Sequence, residues 1–457
     1  MLSRMGAGFA GIALAGLLAE ESTASPVSEP LAPRAPHFHA HATRVIMLFM
    51  DGAPSHHDLF DYKPLLVRDH GKPLPFKLPR VLSNADRFGN LLAPLAEFRQ
   101  HGQSGLWMSD LLPNLATVAD ELCVVRSMHC SNPQHGFACL EWHTGSGTFV
   151  RPSMGSWITY GLGSENQDLP GYITICQPLA SGGVGLYGSG FLPAAYQGTP
   201  LGYDRMPATE AKFRFIDRRQ ARPELQQREL DLLREMGHEH LSRTGGDSAL
   251  ESRIRSFELA FRMQTEAPQA QDISGESAAT HALYGLDDKA TANFGRQCLL
   301  ARRLIERGVR FVQCNLENWD HHYNLRKGLP ENARKMDKPI TGLIQDLKSR
   351  GLLDETLVIW GGEFGRTPVA EGGDGRDHNP YGYTMWLAGG GVKRGLSYGQ
   401  TDDYGFHAVE NKVHVHDLHA TILHLLGLNH EQLTYRYAGR DFRLTDVEGQ
   451  VVHDVIA

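Results

Sequence analysis

Residues 357–380, LVIWGGEFGRTPVAEGGDGRDHNP, decide how the rest of the chain is read. Leu357 to Trp360 is a short apolar run with β-branched residues, the pattern of a buried strand. It stops at Gly361-Gly362, and Glu363, Arg366, Asp374, Asp377 and His378 follow. Glycines let the backbone turn sharply and let a ligand approach the main chain. A buried strand that ends in glycine and then offers an acid, a guanidinium and an imidazole is how open α/β sheets place a site at strand carboxyl ends.

The same arrangement recurs elsewhere. VIMLFM (45–50) runs into DGAPSHHDLFD, CVVRSM (123–128) into HCSNPQHGFACLEWHTG, and VRFVQCNL (309–316) into ENWDHHYNL. Parallel strands point one way, so Asp51, Ser131, His135, Asp320, His321, His322, Glu363 and His378 are expected along one sheet edge. YTMWLAGGG (383–391) reads as a further strand, and 111–122, 297–308 and 332–350 as helices. A packing helix is expected within 222–265, with Ile254, Phe257, Ala260 and Phe261 on its buried face. The segment 151–220, with scattered Gly and Pro, reads as irregular loops covering the sheet. Helices alternating with apolar strands predict an α/β fold, a doubly wound and mostly parallel sheet flanked by helices.

Composition narrows the function. The chain has 457 residues, 41% hydrophobic and 21% charged, as ordinary globular proteins do. A net charge of -7 gives no electrostatic reason to expect nucleic acid. Forty-nine glycines and 24 prolines imply many loops, and 23 histidines raise the expectation of a metal site. The six cysteines contain no C-x-x-C and are expected as buried free thiols. Residues 5–18, MGAGFAGIALAGLL, follow Arg4 and precede small residues near Ala24, the layout of an export signal over 1–24. That run is too short for a stable membrane span. A twin-arginine pair would need a start upstream of Met1. Residues 25–43 read as a linker, and 44–457 as one α/β domain with loop and helical insertions over about 151–296.

Carboxylates mixed with imidazoles suit Zn, Mn or a similar divalent ion, whereas an all-oxygen set suits Ca or Mg. Arg366 is placed to grip an anionic oxygen bidentately, or to pair with Asp374 of its own loop. His414, His416 and His419 read as structural or as supports for ligands.

Several motifs resemble those of the alkaline phosphatase/sulfatase superfamily, in the same order. PNLATVADELCVVRSM (113–128) resembles the segment before the sulfatase nucleophile, and HCSNPQHGFACLEWHTG the nucleophile segment ending in Thr144-Gly145. LAGGGVKRG (387–395) and HVHDLHATILHLLGL (414–428) resemble later sulfatase motifs. SWITYGLGSENQ, SFELAFRMQ, WDHH, GGEFGRTP, GRDH and LTYRYAGRDFRLTDV resemble an uncharacterised exported bacterial family within that superfamily, over about residues 40–450.

The resemblance implies an alkaline phosphatase-like fold and a divalent metal, with Zn, Mn, Ca and Mg all open. It implies metal ligands at Asp51, Asp320, His321 or His322, Glu363 and His378. Ser131 and His135 both occupy the nucleophile segment, and Arg366 joins them as a candidate catalytic group. Phe364 stands where the superfamily has histidine, and Cys-x-Pro-Ser-Arg is absent, which disfavours a formylglycine-type sulfatase. The expectation is a metal-dependent hydrolase of sulfate or phosphate esters acting outside the cytoplasm, periplasmic or extracellular. Its substrate would be a small anionic ester or a sulfated or phosphorylated glycan. The alternative is a non-catalytic binding or scaffold protein that keeps the fold.

Overall fold

The computed structural model describes residues 30–79, 88–179, 181–214, 216, 222–244 and 248–457. The expected export signal therefore lies outside the described residues. At the centre is a nine-stranded sheet. Its strands are β1 (Arg44–Met50), β2 (Leu122–His129), β3 (Tyr172–Gln177), β4 (Thr199–Tyr203), β5 (Phe311–Leu316), β6 (Thr356–Gly361), β7 (Tyr383–Ala388), β8 (Leu396–Tyr398) and β9 (Val413–His414). The spatial order is β8-β2-β7-β6-β1-β5-β3-β4, with β9 beside the end of β2. Every pairing is parallel except those of β7, which runs antiparallel between β2 and β6. The longer helices are α1 (His135–Thr144), α2 (Met154–Leu162), α3 (Pro223–Thr244), α4 (Ser248–Gln271), α5 (Ala292–Glu306), α6 (Leu325–Ser349) and α7 (Val415–Leu425).

The uninterrupted apolar run of β1 follows from burial on both sides. Leu48 stands in register with Cys314 of β5 and Trp360 of β6. Ile46, Leu48 and Met50 pack on one face with residues of α5 and α6 such as Leu300, Ile340 and Leu343. Val45, Met47 and Phe49 pack on the other with Trp142 of α1, Trp157 of α2 and Ile422 of α7. Each side chain so buried contributes about 1.5–3 kcal/mol, so the sheet is fixed from both faces and its carboxyl edge is a rigid platform.

Three expectations are corrected. Residues 151–220 are not loops alone: they supply α2 and the sheet strands β3 and β4. Glycine and proline there mark turns between short elements. In α4 the buried face is Met263, Ala267 and Ala270, while Phe257 is 53% exposed, because the helix docks by its C-terminal half. The 25–43 segment is no free tether where it is described. His37 and Phe38 amides donate to Gly427 O, and His41 and Ala42 amides to Leu425 O, which straps the segment to the end of α7. All six cysteines are free and buried. Among the described residues no helix is long and apolar enough to cross a membrane.

Candidate metal centre

Because β1, β2, β5 and β6 run parallel, the segments that leave them meet on one edge. Asp320, four residues past the end of β5, is the hub. Its Oδ1 lies 3.2 Å from His135 Nε2, 3.0 Å from His322 Nε2 and 3.4 Å from His378 Nε2. It also accepts a hydrogen bond from Arg366 Nη2 at 2.7 Å. The donor atoms of His135, Asp320, His322 and His378 all fall within 4.8 Å of one another.

The far ring nitrogens are engaged elsewhere. His135 Nδ1 is 2.5 Å from Glu363 Oε1, His322 Nδ1 2.5 Å from Glu371 Oε2, and His378 Nδ1 2.5 Å from the Pro133 carbonyl. A carbonyl only accepts, so His378 carries a proton on Nδ1, and the two carboxylates favour the same tautomer in His135 and His322. In its neutral form each ring then turns a bare Nε2 lone pair to the centre. His322 Nε2 and His378 Nε2 stand 2.8 Å apart, a separation at which lone pairs repel unless a proton or a metal cation offsets them. His135 Nε2 is buried without an aligned hydrogen bond. An outer acceptor that fixes the tautomer and frees the other nitrogen is the arrangement around metal-bound imidazoles. The residues present fit a divalent cation.

Without a cation, protons link these rings to the carboxylates around them. Burial alone would raise Asp320, but the three imidazoles and Arg366 hold its carboxyl well below the usual carboxylate range. Burial lowers His135, yet Asp320 and Glu363 outweigh it and hold the ring at about 9. His322 is likewise raised against burial by Asp320 and Glu371. In His378 burial dominates, Asp320 only partly opposes it, and Arg366 and the neighbouring rings add to the fall, to about 4.

The local chain explains the convergence. Gly52, at φ +102°, lets the 317–322 loop lie against the end of β1, and a Cβ there would stand 2.6 Å from Asp320 N. Glu141, one side of α1, reaches back to accept from Ser131 N at 3.1 Å and Ser131 Oγ at 2.6 Å, which pins the 131–134 turn that offers Pro133 O to His378. Phe364 packs its ring 4.9 Å from His135 and 4.7 Å from His378, so it walls the centre as an apolar side chain and offers no ligand, as its residue type implies.

The predicted residues separate into groups. His135, Asp320, His322 and His378 come together. Asp51 and Glu363 form a neighbouring buried group with Cys139. Burial and the Glu363 charge push Asp51 up to about 7, and burial holds the Cys139 thiol well above its ordinary value. Asp51 does not cap the short helix at His56–Leu59, whose cap position is Ser55. His321 is not in the centre. Its side chain packs against Gly328 on α6, and burial lowers it to about 4. Successive residues cannot point the same way here, so His322 alone is the inward ring.

Ser131 bonds outside the cluster. Its hydroxyl donates to Glu141, and His414, 3.2 Å away, uses Nδ1 to accept the His416 amide as the cap of α7. His414 therefore holds its proton on Nε2 and has no free lone pair for Ser131. Arg366 is 1% exposed and is held by the carbonyls of Gly52, Ala53 and Arg376 besides Asp320. It is an anchor for the hub. Asp374 does not pair with it and accepts from Asn324 N at 2.9 Å. His416 and His419 bond to Gly145 O and Trp142 O, structural links between α7 and α1.

Glu371, Glu141 and Cys139 escaped the sequence reading. Glu371 lies inside the opening stretch, yet an acid between Ala370 and two glycines carries no mark of its 3% exposure or its bond to His322. Replacing Glu371 by alanine is expected to weaken metal affinity by about 10–100-fold while leaving one equivalent at saturation, as a chelator titration would show.

An α/β protein with a mostly parallel sheet and a histidine–carboxylate cluster at its carboxyl edge is the class that fold and site define. The chain belongs to the family described as "Protein of unknown function (DUF1501)", whose profile matches residues 42–456. No curated protein matches it. Among solved structures it is similar to a sulfatase from Pseudoalteromonas sp., with 13% identity over 85% of this chain and 68% of that one, TM-score 0.38. It is also similar to a phosphonate monoester hydrolase from Silicibacter pomeroyi, with 12% identity over 84% and 73%, TM-score 0.35. An alkaline phosphatase from the Antarctic bacterium TAB5 shows 10% identity over 85% and 99%, TM-score 0.34.

Proposed function

We propose that the chain is an exported, divalent-metal-dependent hydrolase of phosphate or sulfate monoesters. The convergence of three Nε2 atoms on Asp320, each ring fixed from behind, carries this reading. His135, His322, His378 and Asp320 would hold the ion, and such a donor set suits Zn, Mn or Fe better than the all-oxygen ions Ca and Mg. A bound cation would polarise the ester oxygen and neutralise charge that develops in an in-line displacement.

The chain's own residues supply the rest. Arg366 and its carbonyl anchors fix Asp320. Glu371 and Pro133 O hold the rings of His322 and His378 in place. Asp51, raised to about 7 by burial and Glu363, is protonated or ionised at neutral pH with little cost, as a proton carrier must be. In the proposed reaction water attacks phosphorus or sulfur and the ester oxygen departs. Asp51 gives that oxygen a proton, and the proton lost by water restores Asp51. No hydroxyl or thiol nucleophile of the chain is engaged with the cluster among the described residues, so a water nucleophile fits the geometry.

One observation favours the alternative of a non-catalytic metal-binding protein. Ser131, the hydroxyl of the nucleophile segment, is bonded away to Glu141. Turnover of a panel of aryl and alkyl phosphates and sulfates by the metal-loaded protein decides between them. Hydrolysis lost on chelation and regained with metal supports the enzyme. Stoichiometric metal without turnover of any ester supports the binding protein.

Affinity for the ion should depend on pH. His135 holds its proton up to about 9 without metal, so an incoming cation must displace that proton below this value. Apparent affinity is expected to rise roughly tenfold per pH unit from 7 towards 9, with release of at least one proton per ion in calorimetry in buffers of different ionisation enthalpy.

A further inference from the structure

The stretch SFELAFRMQ, residues 256–264 of α4, takes no part in the cluster, yet it lines a cavity of about 210 Å³. Leu259, Ala260 and Met263 of that stretch face a wall that includes Pro170, Ala194 and Thr199. Pro170 precedes β3 and Thr199 opens β4, so the cavity lies by the amino ends of these strands. The cluster stands at the carboxyl edge of the same sheet, and none of its residues lines the cavity.

The floor of the cavity is apolar. Phe213 and Met263 are each 4% exposed, and Leu31, Ile216 and Leu259 are half-buried. Four charged side chains stand in the wall, and two of them are already engaged. Arg262 Nε donates to Gln167 O at 2.9 Å and lies 3.4 Å from Asp168, while Glu258 accepts from Arg234 Nε at 2.6 Å. Arg214 and Arg255 pair with no carboxylate among the described residues. The Arg214 guanidinium lies over the Tyr203 ring, 3.7 Å from its centroid. Stacking uses the flat face of a guanidinium and leaves the N–H edge free.

Two guanidinium groups without a counter-charge, beside an apolar floor, select a ligand with both characters. An inorganic anion would pair with the arginines and leave the floor uncovered. A neutral hydrocarbon would cover the floor and strip water from the arginines without replacing it. A carboxylate accepts paired N–H groups from a guanidinium. An apolar cavity of about 150 Å³ holds benzene, so this one holds a body of about six to eight carbons. We propose that the cavity binds a small amphipathic carboxylate, a monoanion with its apolar body over Phe213 and Met263 and its head at Arg214 and Arg255. This site is separate from the proposed hydrolysis and stands without it.

The test uses the full-length protein treated with a chelator, so that no carboxylate binds through a metal at the cluster. Hexanoate, phenylacetate, acetate and 1-hexanol are compared by saturation-transfer NMR and calorimetry. Hexanoate and phenylacetate are expected to bind at least about tenfold more tightly than acetate, which lacks the body, or 1-hexanol, which lacks the charge. Arg214→Met and Arg255→Met should each weaken phenylacetate binding at least about fivefold. Ala260→Phe, which fills the cavity, should abolish it. The arginine variants alter no core residue, so they decide the matter if Ala260→Phe fails to fold. Unchanged binding in any folded variant would overturn the inference, as would 1-hexanol binding as tightly as hexanoate. Absence of binding by every probe would overturn it as well.

Discussion

Alanine at Asp320 is expected to remove the bound cation and to lower ester turnover at least about a thousandfold, since metal charge stabilisation amounts to several kcal/mol and each 1.36 kcal/mol is tenfold. The loss should come without unfolding. The Asp320 side chain is 43% exposed, so its removal opens no core cavity. Arg366 keeps its bonds to Gly52, Ala53 and Arg376 carbonyls. The three imidazoles, deprived of the carboxylate that raises His135 and His322, should titrate lower. NMR titration of the ring protons would show this independently of activity. A variant that binds one equivalent of metal and turns over ester as the wild type does would remove Asp320 from the site.

The second large effect concerns the framework. Arg376 and Asp58 form an ion pair at 2.9 Å in which both side chains are fully buried. Arg376 also donates to the carbonyls of Thr367, Leu92 and Ala93, and Asp58 accepts from Ser55 Oγ and Leu95 N. This pair ties the turn after β1 to the segment that ends in His378. Arg376→Leu leaves a buried carboxylate without its counter-charge and several carbonyls without donors. A loss of about 3–5 kcal/mol in unfolding free energy is expected. The double variant Arg376→Leu/Asp58→Leu should cost less than the two single changes summed, because it removes both charges. Denaturant unfolding of the four proteins measures this. A single-variant loss below about 1 kcal/mol, the range of exposed ion pairs, would contradict the role given to the pair.

The strand edges were legible because both faces of each are covered, so each reads as a continuous apolar run. The runs at 45–50, 123–128, 309–316 and 357–360 correspond to β1, β2, β5 and β6. Their shared direction was legible from the alternation with helices, and it placed the ligand-type residues on one edge. The direction of β7 was not, since an apolar run carries no sign of which way it pairs. β3 and β4 were hidden by flanking glycine and proline, which signal turns equally well in loops and between short strands.

Within the site, residue type revealed which groups could bind a metal but not which way each side chain turns. His321 and His322 are adjacent and chemically identical, and only packing against Gly328 separates them. Ser131 was attractive as a hydroxyl next to a histidine-rich turn. Its engagement depends on Glu141, ten residues on, and on His414, far along the chain. Arg366 was expected to face a ligand or Asp374, yet it faces Asp320, because Gly52 and Ala53 carbonyls fix the guanidinium beneath the hub. The supporting contacts of a site come from tertiary structure and leave little trace in local sequence.

Elemental analysis of the purified protein, after dialysis and after reconstitution with Zn, Mn and Fe, tests the central claim most directly. About one equivalent of a divalent ion in the wild type, and none in a His135→Ala/His378→Ala variant with an unchanged circular dichroism spectrum, is the predicted result. Wild-type protein that binds no ion under any of these conditions would mean that the three rings around Asp320 are a hydrogen-bonded structural cluster, and the hydrolase reading would fall with it.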